Sequence, residues 1–134
     1  MSRVVALDTN IVTALLRGET GAIASLLDAI DDYVLPVTVY AEVMAGLQSG
    51  ANPGRYLPVF EAFLSEYNVQ VLETRGMDVA RSYARLYTYL RQHGTPISPN
   101  DLWLAAECVA ANLPLFSLDT DFARVPHIRL YAAT

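Results

Sequence analysis

Short apolar runs alternate with amphipathic segments along the chain of 134 residues. Four runs rich in apolar residues predict buried strands, at residues 4–7, 33–35, 69–72 and 115–118. A fifth run, 128–131, alternates apolar with polar positions and predicts a short last strand. Strands separated by helices require crossover connections, so the pattern predicts one α/β fold with a central, mostly parallel sheet of four to five strands and helices on both faces.

The segments between these strands carry helical periodicity. Apolar residues recur at spacings of three and four, as on one face of an amphipathic helix. Gly18, Pro36 and Pro114 mark expected element ends, and the segment 102–113 is apolar nearly all round, which predicts a buried helix. The predicted helices are residues 11–17, 23–30, 38–47, 57–67, 79–90 and 102–113.

Length and composition indicate one globular domain, residues 1–134. Hydrophobic residues make up 53% and charged residues only 17%, which excludes a disordered chain. Cys108 is the only cysteine, so a disulfide scaffold is excluded too. The apolar runs are broken well before the roughly 20 residues that a bilayer span needs, and the first run is too short for a signal peptide. We therefore expect no membrane contact and a cytoplasmic location.

The charge balance narrows the chemistry. Nine basic residues against fourteen acids give a net charge of −5, and the sequence contains no lysine. A P-loop and a Schiff-base mechanism both need lysine and are excluded. The negative charge also argues against a broad basic face for nucleic acid. It is compatible with acids that are concentrated in one metal site.

Acidic residues stand at the ends of predicted strands and at the starts of helices. Asp8 ends the first strand and Asp119 ends the fourth, with Asp121 two residues later. Glu42 lies in the first turns of the helix after the second strand, and Asp101 begins the buried helix. Because strand carboxyl ends face one edge of a parallel sheet, we expect these side chains to meet in one crevice.

Clustered carboxylates without histidine or cysteine partners favour a hard divalent cation. Like charges at short range raise each other's pKa or require a counter-cation. Mg²⁺ prefers oxygen ligands and retains waters, so a few carboxylates and a substrate phosphate suit it. Two such ions about 3.5–4 Å apart stabilise the attacking and leaving oxygens of an in-line phosphoryl displacement. The acid set therefore predicts Mg²⁺, one or two ions, and in-line phosphoryl displacement.

Four short motifs occur in a fixed order. Asp-Thr-Asn stands at 8–10, and Glu42 is followed by Gly46 four residues later. Ser-Pro-Asn-Asp stands at 98–101, and Ser-Leu-Asp-Thr-Asp-Phe at 117–122. The ordered set resembles the motifs of PIN-domain nucleases over essentially the whole chain. Its length is similar to that of the VapC-type toxins of bacterial toxin–antitoxin pairs.

This resemblance implies an activity and partners. It implies a Mg²⁺- or Mn²⁺-dependent endoribonuclease that cleaves RNA, acts as a toxin that blocks translation, and is inhibited by a cognate antitoxin. A homodimer is also implied. The chain departs from the family in two respects: Ser117 replaces the more usual threonine while keeping the hydroxyl, and lysines that often help to bind RNA are missing.

The resemblance also assigns site residues. The acidic metal site would comprise Asp8, Glu42, Asp101 and Asp119, with Asp121 peripheral. The supporting residues would be Thr9, Asn10 and Ser117. Arg81 and Arg85 share a face of the long helix 79–90 and are weak candidates for RNA contact, because a solvated helix face is the simpler explanation.

Each acid also has a simpler explanation. Asp8 is well placed to cap the first helix, and Asp119 could cap a short turn. Ser98 and Asp101 have the spacing of a capping box, and Glu42 could be an ordinary solvated residue. Thr9 and Asn10 could hold water or phosphate, or cap only.

Two other function classes stay open on the sequence. A DEDD-type exonuclease or phosphatase also uses dispersed acids, but it usually opens with Asp-x-Glu or Asp-x-Asp, where this chain has Asn10. A PIN-like module that binds a partner without catalysis is the second alternative. His93, His127 and Cys108 fit no metal-ligand or nucleophile pattern.

Overall fold

A parallel sheet of four strands organises the chain. The computed structural model describes residues 2–73 and 75–131. The strand order is β3-β2-β1-β4, and every pairing is parallel. The strands are β1 (Val4–Leu7), β2 (Asp32–Pro36), β3 (Gln70–Leu72) and β4 (Leu115–Phe116). The first strand is interior, because Ala6 pairs with Val34 on one side and with Leu115 on the other.

Among residues 2–73 and 75–131, six α-helices flank this sheet, as the periodicity predicted. A 3₁₀ turn at Gly21–Ile23 precedes the second helix, and another at Thr120–Arg124 follows β4. The second helix is shorter than the predicted segment 23–30, because the chain winds as 3₁₀ through Ile23 and the helix ends at Asp28. The helices are α1 (Thr9–Arg17), α2 (Ala24–Asp28), α3 (Val37–Ser49), α4 (Pro53–Glu66), α5 (Met77–Gln92) and α6 (Pro99–Ala110).

Near the C-terminal end of the described chain, the strands are shorter than the sequence predicted. The fourth strand stops at Phe116, and Leu118 is 54% exposed instead of continuing the buried run. The predicted strand 128–131 is reduced to a single bridge between Leu130 and Leu115. The physical reason is the length of β4, which offers only Leu115 as a partner: its N–H donates to the carbonyl of Arg129, and its carbonyl accepts from Tyr131.

The buried helix α6 forms the centre of one layer of the core. Leu102, Leu104, Ala105 and Ala106 are buried on it, and α5 packs against it. The helix ends at Ala110, three residues before the predicted end, because Asn112 adopts a positive φ of 53°. In the part of the chain that the structure describes, no helix is both long enough and apolar enough to cross a membrane.

Candidate active site

Asp8 lies where the interior strand β1 passes into α1. Its backbone N–H donates to the carbonyl of Phe116 on β4. Its Oδ1 accepts from the N–H of Thr9 at 2.7 Å, which caps α1, and its Oδ2 accepts from the hydroxyl of Ser117 at 2.6 Å. The residue is 6% exposed. The carboxylate is therefore held between the end of β1 and the segment that follows β4.

The electrostatic surroundings of Asp8 favour its protonated form. Burial raises the pKa of the Asp8 carboxyl, since water is replaced by protein around the charge. The negative charges of Asp101 and Glu42 raise this pKa further, while the hydrogen bonds from Ser117 and Thr9 lower it. The charge contributions of Asp101 and Glu42 mean that these predicted carboxylates lie near enough to act on Asp8.

Asn10 and Ser117 connect Asp8 to the loop after β4. The hydroxyl of Ser117 donates to Asp8 and accepts from the N–H of Asp119 at 2.9 Å. The Oδ1 of Asn10 accepts from the N–H of Leu118 at 3.2 Å. Its Nδ2 lies 3.4 Å from both Asp8 Oδ2 and Ser117 Oγ. These bonds fix the turn that places Asp119 on the same side as Asp8.

Glu42 reaches the site from α3. Its Oε1 accepts from the hydroxyl of Thr9 at 3.1 Å, so the first motif and the helix motif are in direct contact across 33 positions of sequence. Glu42 is half-buried. The bond explains the threonine at position 9, whose hydroxyl holds a carboxylate from another helix.

Asp101 and Asp119 complete the acidic edge. Asp101 lies in the first turn of α6, where its N–H donates to the hydroxyl of the cap residue Ser98 at 3.2 Å. Burial raises the pKa of the Asp101 carboxyl, and the charges of Asp119 and Asp121 raise it further. The loop after β4 and the start of α6 therefore face each other.

The simpler capping explanations are confirmed for several of these residues. Asp8 caps α1, Ser98 caps α6, and Asp119 caps the 3₁₀ turn by accepting from the N–H of Asp121 at 2.8 Å. Capping leaves acceptor positions free on these carboxylates, because a carboxylate has about four lone-pair positions and each cap uses one. Both roles are thus compatible at Asp8 and Asp119.

Four of the candidate acids have no basic partner in the part of the chain that the structure describes. Among residues 2–73 and 75–131, the ion pairs are Arg75–Glu107, Arg81–Asp78 and Arg124–Asp121. Asp8, Glu42, Asp101 and Asp119 belong to none of these pairs. An acidic cluster without a cationic side chain fits a divalent cation as its counter-charge.

The four carboxylates do not form a closed set of metal ligands. Within the described residues, no group of three or more acidic, histidine or cysteine side chains is close enough to hold an ion by itself. An open set is what Mg²⁺ uses, since it retains several waters and binds one or two carboxylates together with a substrate phosphate. The site fits a metal that substrate helps to complete.

The structure also shows a buried acid that sequence reasoning missed. Glu107 on α6 is 0% exposed, and its Oε1 accepts from the backbone N–H of Thr38 at 3.0 Å. Arg75 lies 3.8 Å from the same carboxylate, and its guanidinium stacks on Trp103. The only signal in the sequence was a single acid inside an otherwise apolar helix.

The two arginines predicted to contact RNA have their partners on their own helix. Arg81 pairs with Asp78 at 3.3 Å, and Arg85 donates to the hydroxyl of Ser82 at 3.3 Å. Both lie on α5, and none of the contacts described for the acidic residues involves them. His93, which has no catalytic pattern, ends α5, with its Nδ1 2.7 Å from the carbonyl of Tyr89.

The structure is a parallel α/β fold that carries acidic residues beyond the carboxyl ends of its strands. The family model "PIN domain" matches residues 5–128. The chain therefore belongs to the PIN-domain family, which confirms the family inferred from the four motifs.

Two relatives named as ribonucleases align over most of the chain. Ribonuclease VapC1 from Haemophilus influenzae (strain R2866) is 25% identical over 127 residues, covering 92% of each chain. Ribonuclease VapC5 from Mycobacterium tuberculosis is 29% identical over 117 residues, covering 87% of this chain and 84% of the relative.

Solved structures share the fold. VapBC2 from Rickettsia felis, bound to a DNA fragment from its promoter, superposes with a TM-score of 0.85 at 23% identity, over 95% of this chain and 96% of the other. VapBC-5 from Mycobacterium tuberculosis, a member of the VapBC family of toxin–antitoxin systems, superposes with a TM-score of 0.70 at 25% identity. It covers 95% of this chain and 96% of the other.

Proposed function

We propose that this protein is a metal-dependent endoribonuclease and the toxin of a type II toxin–antitoxin module. The observation that carries the proposal is the setting of Asp8. It is a buried carboxylate held by Ser117 and Thr9, near Glu42 and Asp101, without a basic partner in the described residues. Family membership and relatives named ribonuclease support the same conclusion.

The roles of the acids follow from their positions. Asp8, the most constrained, would be the central ligand of Mg²⁺ or Mn²⁺, one or two ions. Glu42, Asp101 and Asp119 would complete the coordination and orient the attacking water. Asp121 would be peripheral, since Arg124 already pairs with it at 2.5 Å.

The bound cation would neutralise the phosphate charge and make a coordinated water more acidic. This chain's residues supply the rest. Ser117 and Asn10 fix the orientation of Asp8, and Thr9 fixes Glu42, so that the carboxylates need little rearrangement when substrate enters. In-line attack by water on the phosphodiester leaves 5′-phosphate and 3′-hydroxyl ends.

The partners follow from the same proposal. RNA is the substrate, its cleavage blocks translation in the cytoplasm, and a cognate antitoxin protein inhibits the enzyme. The VapBC complexes of similar fold support the antitoxin. A homodimer is part of the proposal, and Tyr87 and Tyr89, both exposed on α5, are compatible with a contact between two copies.

The test uses purified wild type and Asp8→Asn with total cellular RNA. Parallel reactions contain Mg²⁺, Mn²⁺ or EDTA, and new ends are mapped by sequencing. We expect discrete cuts with 5′-phosphate ends that require metal and vanish in Asp8→Asn. Asp8→Asn keeps an acceptor for the N–H of Thr9, so α1 should stay capped and the variant should fold.

Two further measurements distinguish an endonuclease from an exonuclease and from a non-catalytic binding module. A circular RNA that contains a mapped site is cut by an endonuclease and resists an exonuclease. Folded, antitoxin-free protein that binds metal yet cuts no RNA in any reaction would contradict the proposal and favour a non-catalytic binding module.

A further inference from the structure

A groove of about 490 Å³ runs beside the acidic site, between α1, α3 and the start of α4. Thr9 and Glu42 form its end at the site, which makes it continuous with the proposed metal centre. Arg17, Arg55 and Tyr56 line it farther along. Any chain that lies in this groove therefore also reaches Glu42.

The groove carries two cationic side chains that are not neutralised. Arg17 is exposed in the last turn of α1, and Arg55 lies with its guanidinium 5.2 Å from the ring centre of Tyr56. Neither belongs to an ion pair within residues 2–73 and 75–131. In a protein of net charge −5, a groove lined by two arginines and one acid, Glu42, is locally positive and suits a polyanion.

Gly46 shapes the same groove. It lies on α3 one helical turn after Glu42 and lines the wall. A Cβ added there would meet no atom within 4 Å, and its φ is not positive, so neither packing nor backbone conformation requires glycine. Glycine inside a helix costs about 1 kcal/mol relative to alanine. The open space in front of Gly46 is therefore available to a ligand.

We infer that this groove binds the single-stranded RNA that flanks the scissile phosphate. Arg17 and Arg55 would contact backbone phosphates, and Tyr56 would offer a ring on which a base stacks. A groove of this volume accommodates a small-molecule-sized group, so it fits a nucleotide or two. The inference rests on the proposed ribonuclease function and assigns its substrate path.

In this proposal the cation and the two arginines bind different phosphates of the RNA. The scissile phosphate would meet the carboxylates and their cation, where an arginine would compete with the metal. Neighbouring phosphates have no such cation and need positive side chains of their own. Arg17 and Arg55 lie on the groove that begins at Glu42, as this division requires.

The test measures binding and cleavage of a short labelled single-stranded RNA that contains a mapped site. The variants are Arg17→Gln and Arg55→Gln, with Arg91→Gln as matched control, because Arg91 is an exposed arginine on α5 that donates to Tyr87. We expect each groove variant to raise KM several-fold with little change in kcat. The slope of log affinity against log salt should fall by about 0.7 per lost phosphate contact.

A second pair of variants tests whether the groove must be open for RNA to bind. Gly46→Gln should obstruct it and weaken RNA binding without lowering stability, since the position faces open space. Ala45→Gln, at the exposed neighbouring position on α3, is the control and should bind RNA as wild type does. Urea unfolding of both variants checks that any loss is not a folding defect.

The outcomes separate this inference from the function on which it rests. If wild type cuts RNA and Asp8→Asn does not, while the groove variants match wild type in KM and salt slope, the groove assignment is wrong and the nuclease stands. If the groove variants bind RNA normally but lose the antitoxin, the groove is a protein site and the inference is overturned. Failure of wild type to cut or bind any RNA overturns both.

Discussion

Thr38 donates both its backbone N–H and its hydroxyl to the carboxylate of Glu107, 69 positions away in sequence. The N···Oε1 distance is 3.0 Å and the Oγ1···Oε2 distance is 2.6 Å. Thr38 is in the first turn of α3, which carries Glu42, and Glu107 is on α6, which carries Asp101. One buried contact thus joins the helices that bring two of the site's acids.

Replacing Glu107 with alanine should destabilise the fold and loosen the site. The change leaves the N–H of Thr38 without its buried acceptor, which costs about 1–3 kcal/mol, and it adds a cavity. Glu107→Gln keeps one acceptor and should lose less. Urea unfolding measures both variants, and equal free energies of unfolding for wild type and Glu107→Ala would contradict the argument.

Stability without metal should depend on pH in a defined direction. Burial is the main cause that raises the pKa of Asp8, Asp101 and Glu107 in the folded state. A raised pKa means that the folded state binds protons more tightly than the unfolded state. This contribution is complete below the unfolded values near pH 4 and is lost as pH rises through the folded values.

The melting temperature in EDTA should therefore rise as pH is lowered from neutral towards about pH 5. Mg²⁺ should raise it more at neutral than at acidic pH, because metal and protons compete for the same carboxylates. Asp8→Asn should weaken both trends. A melting temperature that is independent of pH and Mg²⁺ would show that the acids are not coupled.

The hydroxyl should be the only part of Ser117 that activity requires. Ser117→Ala removes the 2.6 Å bond to Asp8 and the acceptor for the N–H of Asp119. Loss of such an orienting contact typically costs 10- to 100-fold in metal affinity or activity, so we expect about that decrease. Ser117→Thr keeps the hydroxyl and should retain activity. Initial rates over a Mg²⁺ titration separate the two, and an unimpaired Ser117→Ala would exclude this role.

Asp119 and Asp121 should differ although they are two residues apart. Asp121 is already paired with Arg124, whereas Asp119 has no basic partner in the described part of the chain. Asp119→Asn keeps the oxygen that caps the turn and removes only the charge. We expect a large loss of cleavage for Asp119→Asn and a small one for Asp121→Asn. The reverse order would place the metal nearer Asp121.

The sequence predicted the position of the acids well, because position at a strand end is a local property. Asp8 follows a continuous apolar run, and in a parallel sheet such a residue must face the edge where the other strands end. The same rule was less accurate for Asp119, which lies three residues beyond the end of β4 because that strand is shorter than predicted. The charges of Asp101 and Glu42 act on Asp8, although within the described residues no three of the acids are close enough to hold an ion together.

Contacts between distant segments could not be predicted. Nothing near Glu107 in sequence indicates that Thr38 is its partner, and nothing near Arg17 indicates a groove shared with Arg55. The exposure of Leu118 was missed for a related reason. Its chain is turned outward by bonds to Asn10 and Ser117, of which Asn10 lies more than a hundred positions away.

Because β1 is an interior strand, Asp8 lies beside the part of the fold that we expect to open last. Strands paired on both sides open only when most of the structure unfolds, so their amide protons exchange with solvent most slowly. The N–H of Asp8, bonded to Phe116, belongs to this group. We therefore expect the backbone at Asp8 to stay folded while outer segments open, so that silencing the proposed activity would require covering the acidic residues or degrading the whole chain.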